Sequence, residues 1–240
     1  DGNHSSALNF YEKAMKSEPD NNEIKLSYAM SLRGNGSYGD ARRVLLDLNK
    51  KEPGNKAVRI ELARTFIEEN KPQEALSYLE PLIKQDMTTE VAMLEAVSLD
   101  LLKQHSKAQD VYRDILVKQP HNLRVQSNLG LSLAISGKPE EAITILEDVH
   151  KSNRATMRDR HNLAIAYEKA GERDKATKLW KMDLTAQEAE ETQQFFDSVN
   201  GQTTIDTAAF DQATNPTKIQ EVALDSTNTS YEPGSETLAK

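Results

Sequence analysis

Cysteine is absent from this 240-residue chain, so no disulfide, thiolate nucleophile or thiolate-bound metal can form. Aromatic residues make up 5 % and glycine occupies only 10 positions, while Ala, Leu, Glu, Lys and Gln are abundant, a composition that points to helix rather than sheet. No run of about 18 apolar residues occurs, so no segment reads as a membrane-spanning helix. The usual catalytic signatures are missing as well: there is no GxxxxGK phosphate loop, no HExxH and no GxSxG. His4, His105, His121, His150 and His161 include no pair spaced to share a helix face, so no helical metal site is encoded. The adjacent carboxylates Glu68-Glu69 and Glu140-Glu141 read as helix-surface charges. From these absences the chain is expected to be no enzyme and to need no cofactor or metal.

The formal net charge is −8, which argues against nucleic-acid binding. Half of that excess lies in residues 200–240, where Asp206, Asp211, Glu221, Asp225, Glu232 and Glu236 face only Lys218 and Lys240. This stretch is rich in Thr, Ser, Asn, Asp and Gln and is expected to be a mostly disordered tail. Its segments around Phe210 and around Ile219, Val222 and Leu224 are candidates for helices formed on contact, including contact with the chain's own groove. The first residue is Asp1 rather than Met, and the chain is read as a processed or trimmed form.

What the sequence does contain is a period. Alanines recur at Ala7, Ala41, Ala75, Ala108, Ala142 and Ala176, at intervals of 34, 34, 33, 34 and 34 residues. Four positions after each stands a large side chain: Tyr11, Leu45, Leu79, Tyr112, Leu146 and Trp180. Twelve positions before stand small residues, namely Ala29, Ala63, Ala96, Gly130 and Ala164. Twelve after stand Pro19, Pro53 and Pro120, with Met87 and Arg154 in the other two places. Two antiparallel helices per unit explain the pattern. The paired small residues let the first helix (A) and the second (B) approach closely, and the large residue one turn on fills the space beside them. Gly36, Gly137 and Gly171 suit the left-handed end of helix A, Pro72 and Pro139 the first turn of helix B.

The period and pattern over residues 5 to 184 are similar to tetratricopeptide repeats. The resemblance implies an all-α, right-handed α-solenoid of helix–turn–helix units. Residues 1–20 are expected to supply a helix B alone, 22–184 five repeats, and 185–199 a capping helix with Thr185 as its N-cap and Glu188 three residues on. It further implies that helix A lines a concave groove. Applied here, the groove positions are Met93, Leu94, Val97, Leu101, Arg124, Ser127, Asn128, Leu131, Ile135, Arg158, His161, Asn162 and Ile165, with Leu26, Met30, Ile60, Arg64 and Ile67 in the N-terminal units. This apolar strip edged by Arg, Asn and His suits an extended peptide or an amphipathic helix. Asn128 and Asn162, one repeat apart, are placed to hold a ligand backbone, whereas the two-carboxylate clamp of cochaperones is incomplete because Leu131 and Ser127 replace its Asn and Lys.

The last unit is the most individual. Arg158, Asp159, Arg160, Asn162, Leu163, Ala164, Ala166, Tyr167, Gly171, Asp183 and Leu184 resemble the TadD-like lipoproteins of bacterial tight-adherence (Tad, Flp-type) pilus systems. That resemblance implies an exported lipoprotein on the periplasmic face of the outer membrane, acting as pilotin or assembly factor for the pilus secretin. Its partner would then be the secretin or another pilus component, and its only membrane attachment a lipid anchor upstream of Asp1. The alternatives are a cytoplasmic tetratricopeptide adaptor with an unrelated partner and an accessory domain of a larger enzyme.

Overall fold

The computed structural model of the chain describes residues 3–199; the tail expected at 200–240 lies outside them. The described residues form twelve helices and no strand. The first, α1 (Asn3–Ser17), is followed by five antiparallel pairs. These are α2 (Asn22–Gly34) with α3 (Tyr38–Lys51), α4 (Lys56–Glu68) with α5 (Pro72–Gln85), α6 (Thr89–Leu101) with α7 (His105–Lys118), α8 (Leu123–Ile135) with α9 (Pro139–His150), and α10 (Met157–Lys169) with α11 (Arg173–Asp183). A last helix, α12 (Ala186–Val199), packs on α11. Each helix rests chiefly on its immediate neighbours in the chain, the contact pattern of a solenoid. The A helices α2, α4, α6, α8 and α10 also touch one another across repeats, which places them on the inner face.

Local chemistry sets the helix ends. Every A helix begins behind a side-chain cap: Asn21, Asn55, Thr88, Asn122 and Thr156 each accept a hydrogen bond from a backbone N–H of the first turn. The helices α3, α5, α7, α9 and α11 have no side-chain cap; the tight A-to-B turn starts them instead, with Pro72 and Pro139 in the first turn of two. That turn requires one left-handed residue. Gly36, Gly137 and Gly171 supply it with φ of 76°, 85° and 80°, but Asn70 (54°) and Lys103 (59°) supply it in the other two units. The helices α1, α3 and α7 stop two residues before Pro19, Pro53 and Pro120, and α5 stops equally before Met87. The B helix therefore ends where the next A-helix cap takes over, with or without proline.

The small-to-large pairing fills the core. Ala29, Ala41, Ala63, Ala75, Ala96, Ala108, Ala142, Ala164 and Ala176 are fully buried, as are Leu45, Leu79 and Leu146. Gly130 carries the closest approach: a Cβ built there would lie 2.4 Å from Leu146 Cγ. Buried apolar side chains fall into two clusters. One runs from Ala29 to Leu94, the other from Ala92 to Phe196. They meet on α6, which gives Val91 and Leu94 to the first and Ala92, Met93, Ala96 and Leu99 to the second. At the far end Trp180 and Phe196 stack with centroids 6.3 Å apart, so α12 covers the last repeat. Thr185 and Glu188 form the reciprocal cap of α12, Thr185 N–H donating to Glu188 Oε2 at 2.8 Å and Glu188 N–H to Thr185 Oγ1 at 3.3 Å.

Candidate functional site

The inner face is less open than helix position alone implies. Leu26, Ile60, Val97, Leu101, Arg124, Leu131, Ile135 and Arg158 are partly exposed, and Met30 is 36 % exposed. Nine of the expected groove residues are instead buried: Arg64, Ile67, Met93, Leu94, Ser127, Asn128, His161, Asn162 and Ile165. Leu94 is fully enclosed in the N-terminal cluster, and Met93 and Ile165 belong to the C-terminal one.

The physical reason differs along the array. Between α8 and α10 the inner helices pack far more extensively than any other A-helix pair, and polar side chains close the seam. Asn162 Nδ2 donates to Ser127 Oγ at 2.9 Å, and Arg158 Nη2 donates to Asn128 Oδ1 at 2.8 Å. The two asparagines thus tie α10 to α8 instead of presenting their amides to a ligand. His161 lies with its ring centroid 5.0 Å from that of Trp180 and its Nε2 3.5 Å from Asp183. Burial holds its pKa below the usual histidine value, against the pull of Asp183. Asp183 itself receives Arg160 through two bonds of 2.8 and 2.5 Å. Between α2, α4 and α6 the seam is ionic: Arg33 meets Glu61 at 3.1 Å and Glu68 at 3.7 Å, while Arg64 meets Glu61 at 3.2 Å and also reaches Glu90. Arg64 is an internal strut there.

Between α6, α7 and α8 sits a third polar knot. Asp100 accepts Ser132 Oγ–H at 2.6 Å, lies 2.8 Å from His105 Nδ1, and hydrogen-bonds the buried Tyr112. Burial raises the Asp100 pKa, and the bond to His105 opposes this. The serine bonds to the aspartate and not to the histidine, so the trio lacks the nucleophile–base–orienter order of a hydrolase and fits a structural clasp.

What remains accessible has two parts. The first is apolar: Val97 and Leu131 occupy equivalent places on the neighbouring inner helices α6 and α8, with Leu101 and Ile135 one turn on. The second is a basic cleft of about 780 Å³ where α8 and α10 begin, lined by Arg124, Arg154 and Arg158 with His121 and Asp159. Arg154 comes from the α9–α10 turn, in the place that proline holds in other units; the groove positions do not include it. Among the described residues no group of His, Cys, Asp and Glu is placed to hold a metal ion, and no helix is long and apolar enough to cross a membrane.

These units, with their small-to-large pairing and inner-helix face, define a helical-repeat scaffold. Comparison identifies the repeat: a family model described as tetratricopeptide repeat matches residues 32–97. Solved structures agree over most of the array. A tetratricopeptide repeat protein from Parabacteroides merdae ATCC 43184 superposes with a TM-score of 0.68 at 14 % identity, over 79 % of this chain and 76 % of that one. A thermophilic tetratricopeptide protein of Thermus thermophilus gives 0.62 at 19 % identity, over 74 % and 97 %. YrrB, described as a tetratricopeptide protein with an unusual peptide-binding site, gives 0.50 at 14 % identity, over 71 % and 89 %. No curated protein matches the sequence. In fold, the chain is an α-solenoid similar to those of tetratricopeptide-repeat proteins.

Proposed function

We propose that this chain is a non-enzymatic scaffold that binds a segment of a partner protein on the partly exposed strip of its inner helices. The observation that carries the reading is the recurrence of partly exposed apolar side chains at matched places on neighbouring inner helices, Val97 with Leu131 and Leu101 with Ile135, on a face otherwise closed by polar ties. A strip of this kind suits an extended peptide or one face of an amphipathic helix.

We further propose that the partner belongs to a bacterial tight-adherence pilus, with the secretin as the first candidate, and that the protein works in the periplasm at the outer membrane. Support for this finer reading is the Arg158–Leu184 motif, whose Arg158, Arg160, Asn162 and Asp183 all make inter-helix ties in the structure. The test is a pull-down from bacterial envelope extract with the wild type beside Val97→Glu/Leu131→Glu. Secretin recovered by the wild type alone supports both the partner and the strip. Secretin recovered equally by both moves the site elsewhere, and its absence beside a reproducible different partner overturns the pilus reading. The folding control is Leu129→Ala, a buried site expected to cost about 2–5 kcal/mol, and the pair of glutamates, at partly exposed sites on the edge of the apolar clusters, should cost less than that while abolishing binding.

A further inference from the structure

We propose that the strip formed by Val97, Leu101, Leu131 and Ile135 is occupied, until a partner displaces it, by the chain's own C-terminal segment 218–226, wound into a short helix. The inference rests on the scaffold reading above only in taking the strip as a docking surface, and it adds how that surface is regulated.

The geometry starts at α12. Gln193 Nε2 donates to Glu168 Oε2 of α10 at 3.3 Å. Phe196, stacked on Trp180 of the preceding B helix, stands eleven residues after the cap Thr185. Tyr167, bonded to Glu147 of its own preceding B helix, stands eleven after the cap Thr156. The helix α12 thus fills the place of a further inner helix beside α10. Successive inner helices of antiparallel pairs run in the same sense, so the chain leaves α12 on the edge where α6 ends with Leu101 and α8 with Ile135. Helices pack about 8–10 Å apart, which puts α8 roughly 20 Å and α6 roughly 30 Å from α12. Residues 200–217 join α12 to the segment. A random coil of that length has a root-mean-square span of about 21–25 Å, which matches the distance to the strip. A connection matched to its target gives the highest effective concentration, on the order of 1 mM.

The segment has the sequence of a helix that buries one face. Thr217 followed by Gln220 is a capping-box pattern. Ile219, Val222 and Ala223 fall at i, i+3 and i+4, whereas Lys218, Glu221 and Asp225 group on another side. Val222–Ala223 repeats the large–small step of Leu62–Ala63, Leu129–Gly130 and Leu163–Ala164, by which the inner helices of the array lie close to their neighbours. The strip has matching dimensions. Val97 and Leu101 on α6, like Leu131 and Ile135 on α8, lie one turn or about 6 Å apart, on helices that touch.

The probe is a fluorescein-labelled peptide of residues 215–226, NPTKIQEVALDS, titrated by anisotropy into the full chain. With a Kd of about 0.1 mM for the peptide, a tethered copy at about 1 mM competes roughly tenfold. Ile219→Asp/Val222→Asp in the full chain removes that competitor without touching the helical array, so the peptide should bind this variant about tenfold more tightly than the wild type. Adding Leu131→Glu should abolish the gain. Leu224→Asp, off the apolar face of the helix, should leave the wild-type affinity unchanged. Equal affinity for the wild type and the Ile219→Asp/Val222→Asp chain, or binding indifferent to Leu131→Glu, would overturn the inference. A gain with Leu224→Asp as large as with the pair would overturn the helical form. Self-association of the wild type in sedimentation, abolished by the same pair, would overturn it by placing the segment on a second copy. The pull-down separates this inference from the scaffold reading, because Ile219→Asp/Val222→Asp should recover more partner than the wild type. A peptide that fails to bind, while Val97→Glu/Leu131→Glu still loses the partner, sinks this inference alone. A peptide that binds the strip, while the glutamates keep the partner, supports it and sinks the scaffold reading.

Discussion

Adding one methyl group at Gly130 tests the close approach of α8 to Leu146 of α9. The added Cβ would meet Leu146 Cγ at 2.4 Å and its two methyl carbons at 2.7 and 2.8 Å, well inside the ordinary separation of about 3.5–4.0 Å. Because Cγ is the branch point of a fully buried side chain, relief requires Leu146 to move as a whole or α8 and α9 to separate. Overpacking of this kind costs typically about 1–3 kcal/mol. Replacing glycine by alanine inside a helix returns about 1 kcal/mol of helix propensity. The net expectation for Gly130→Ala is a loss of about 1 kcal/mol, read by urea denaturation of the full chain, or about 2–4 °C in Tm. The decisive comparison is the same substitution in a Leu146→Ala background. There the collision is gone, only the propensity gain remains, and Gly130→Ala should stabilise by about 1 kcal/mol. If it stabilises equally in both backgrounds, the close approach of α8 and α9 does not constrain this position and the reasoning fails.

Lys103 holds a left-handed conformation with a φ of 59° where three other units use glycine, so Lys103→Gly should raise stability by about 1 kcal/mol in the same titration. Glu95 stands where other units have Tyr28, Leu62, Leu129 and Leu163; its Oε2 is buried without a hydrogen bond, and burial raises its pKa. Because the folded-state pKa lies above the unfolded one, ionisation of Glu95 costs stability as pH rises through that value. Glu95→Leu should therefore stabilise at neutral pH by about 1 kcal/mol, and the advantage should shrink as pH is lowered into the carboxylate range. Asn122→Ala removes the side-chain cap of α8 and should cost about 1 kcal/mol, seen as a lower urea midpoint at unchanged slope.

The fold was legible because its determinants are periodic. Alanine every 34 residues with a large side chain one turn later specifies close helix pairing without reference to distant contacts. Equally periodic signals went unread: Asn21, Asn55, Thr88, Asn122 and Thr156 mark every A-helix start at intervals of 34, 33, 34 and 34 residues. The inner face was legible only in part. Position along helix A says which way Asn162 or Ile165 points, but not how near the next A helix stands. That distance depends on the side chains between them, and between α8 and α10 the small Ser127 lets the helices close over Asn162. Arg154 escaped because it lies in a turn, where the helical period carries no information.

The meeting of the two apolar clusters on α6 has a mechanical consequence. Each cluster is internally interlocked, whereas the link between them runs chiefly through opposite sides of one helix. A bend at α6 disturbs few apolar contacts inside either block and changes the angle between the two halves. Val97 lies on that helix and Leu131 one repeat beyond it. A ligand spanning both positions would act as a splint, converting two elastic blocks in series into a single rod.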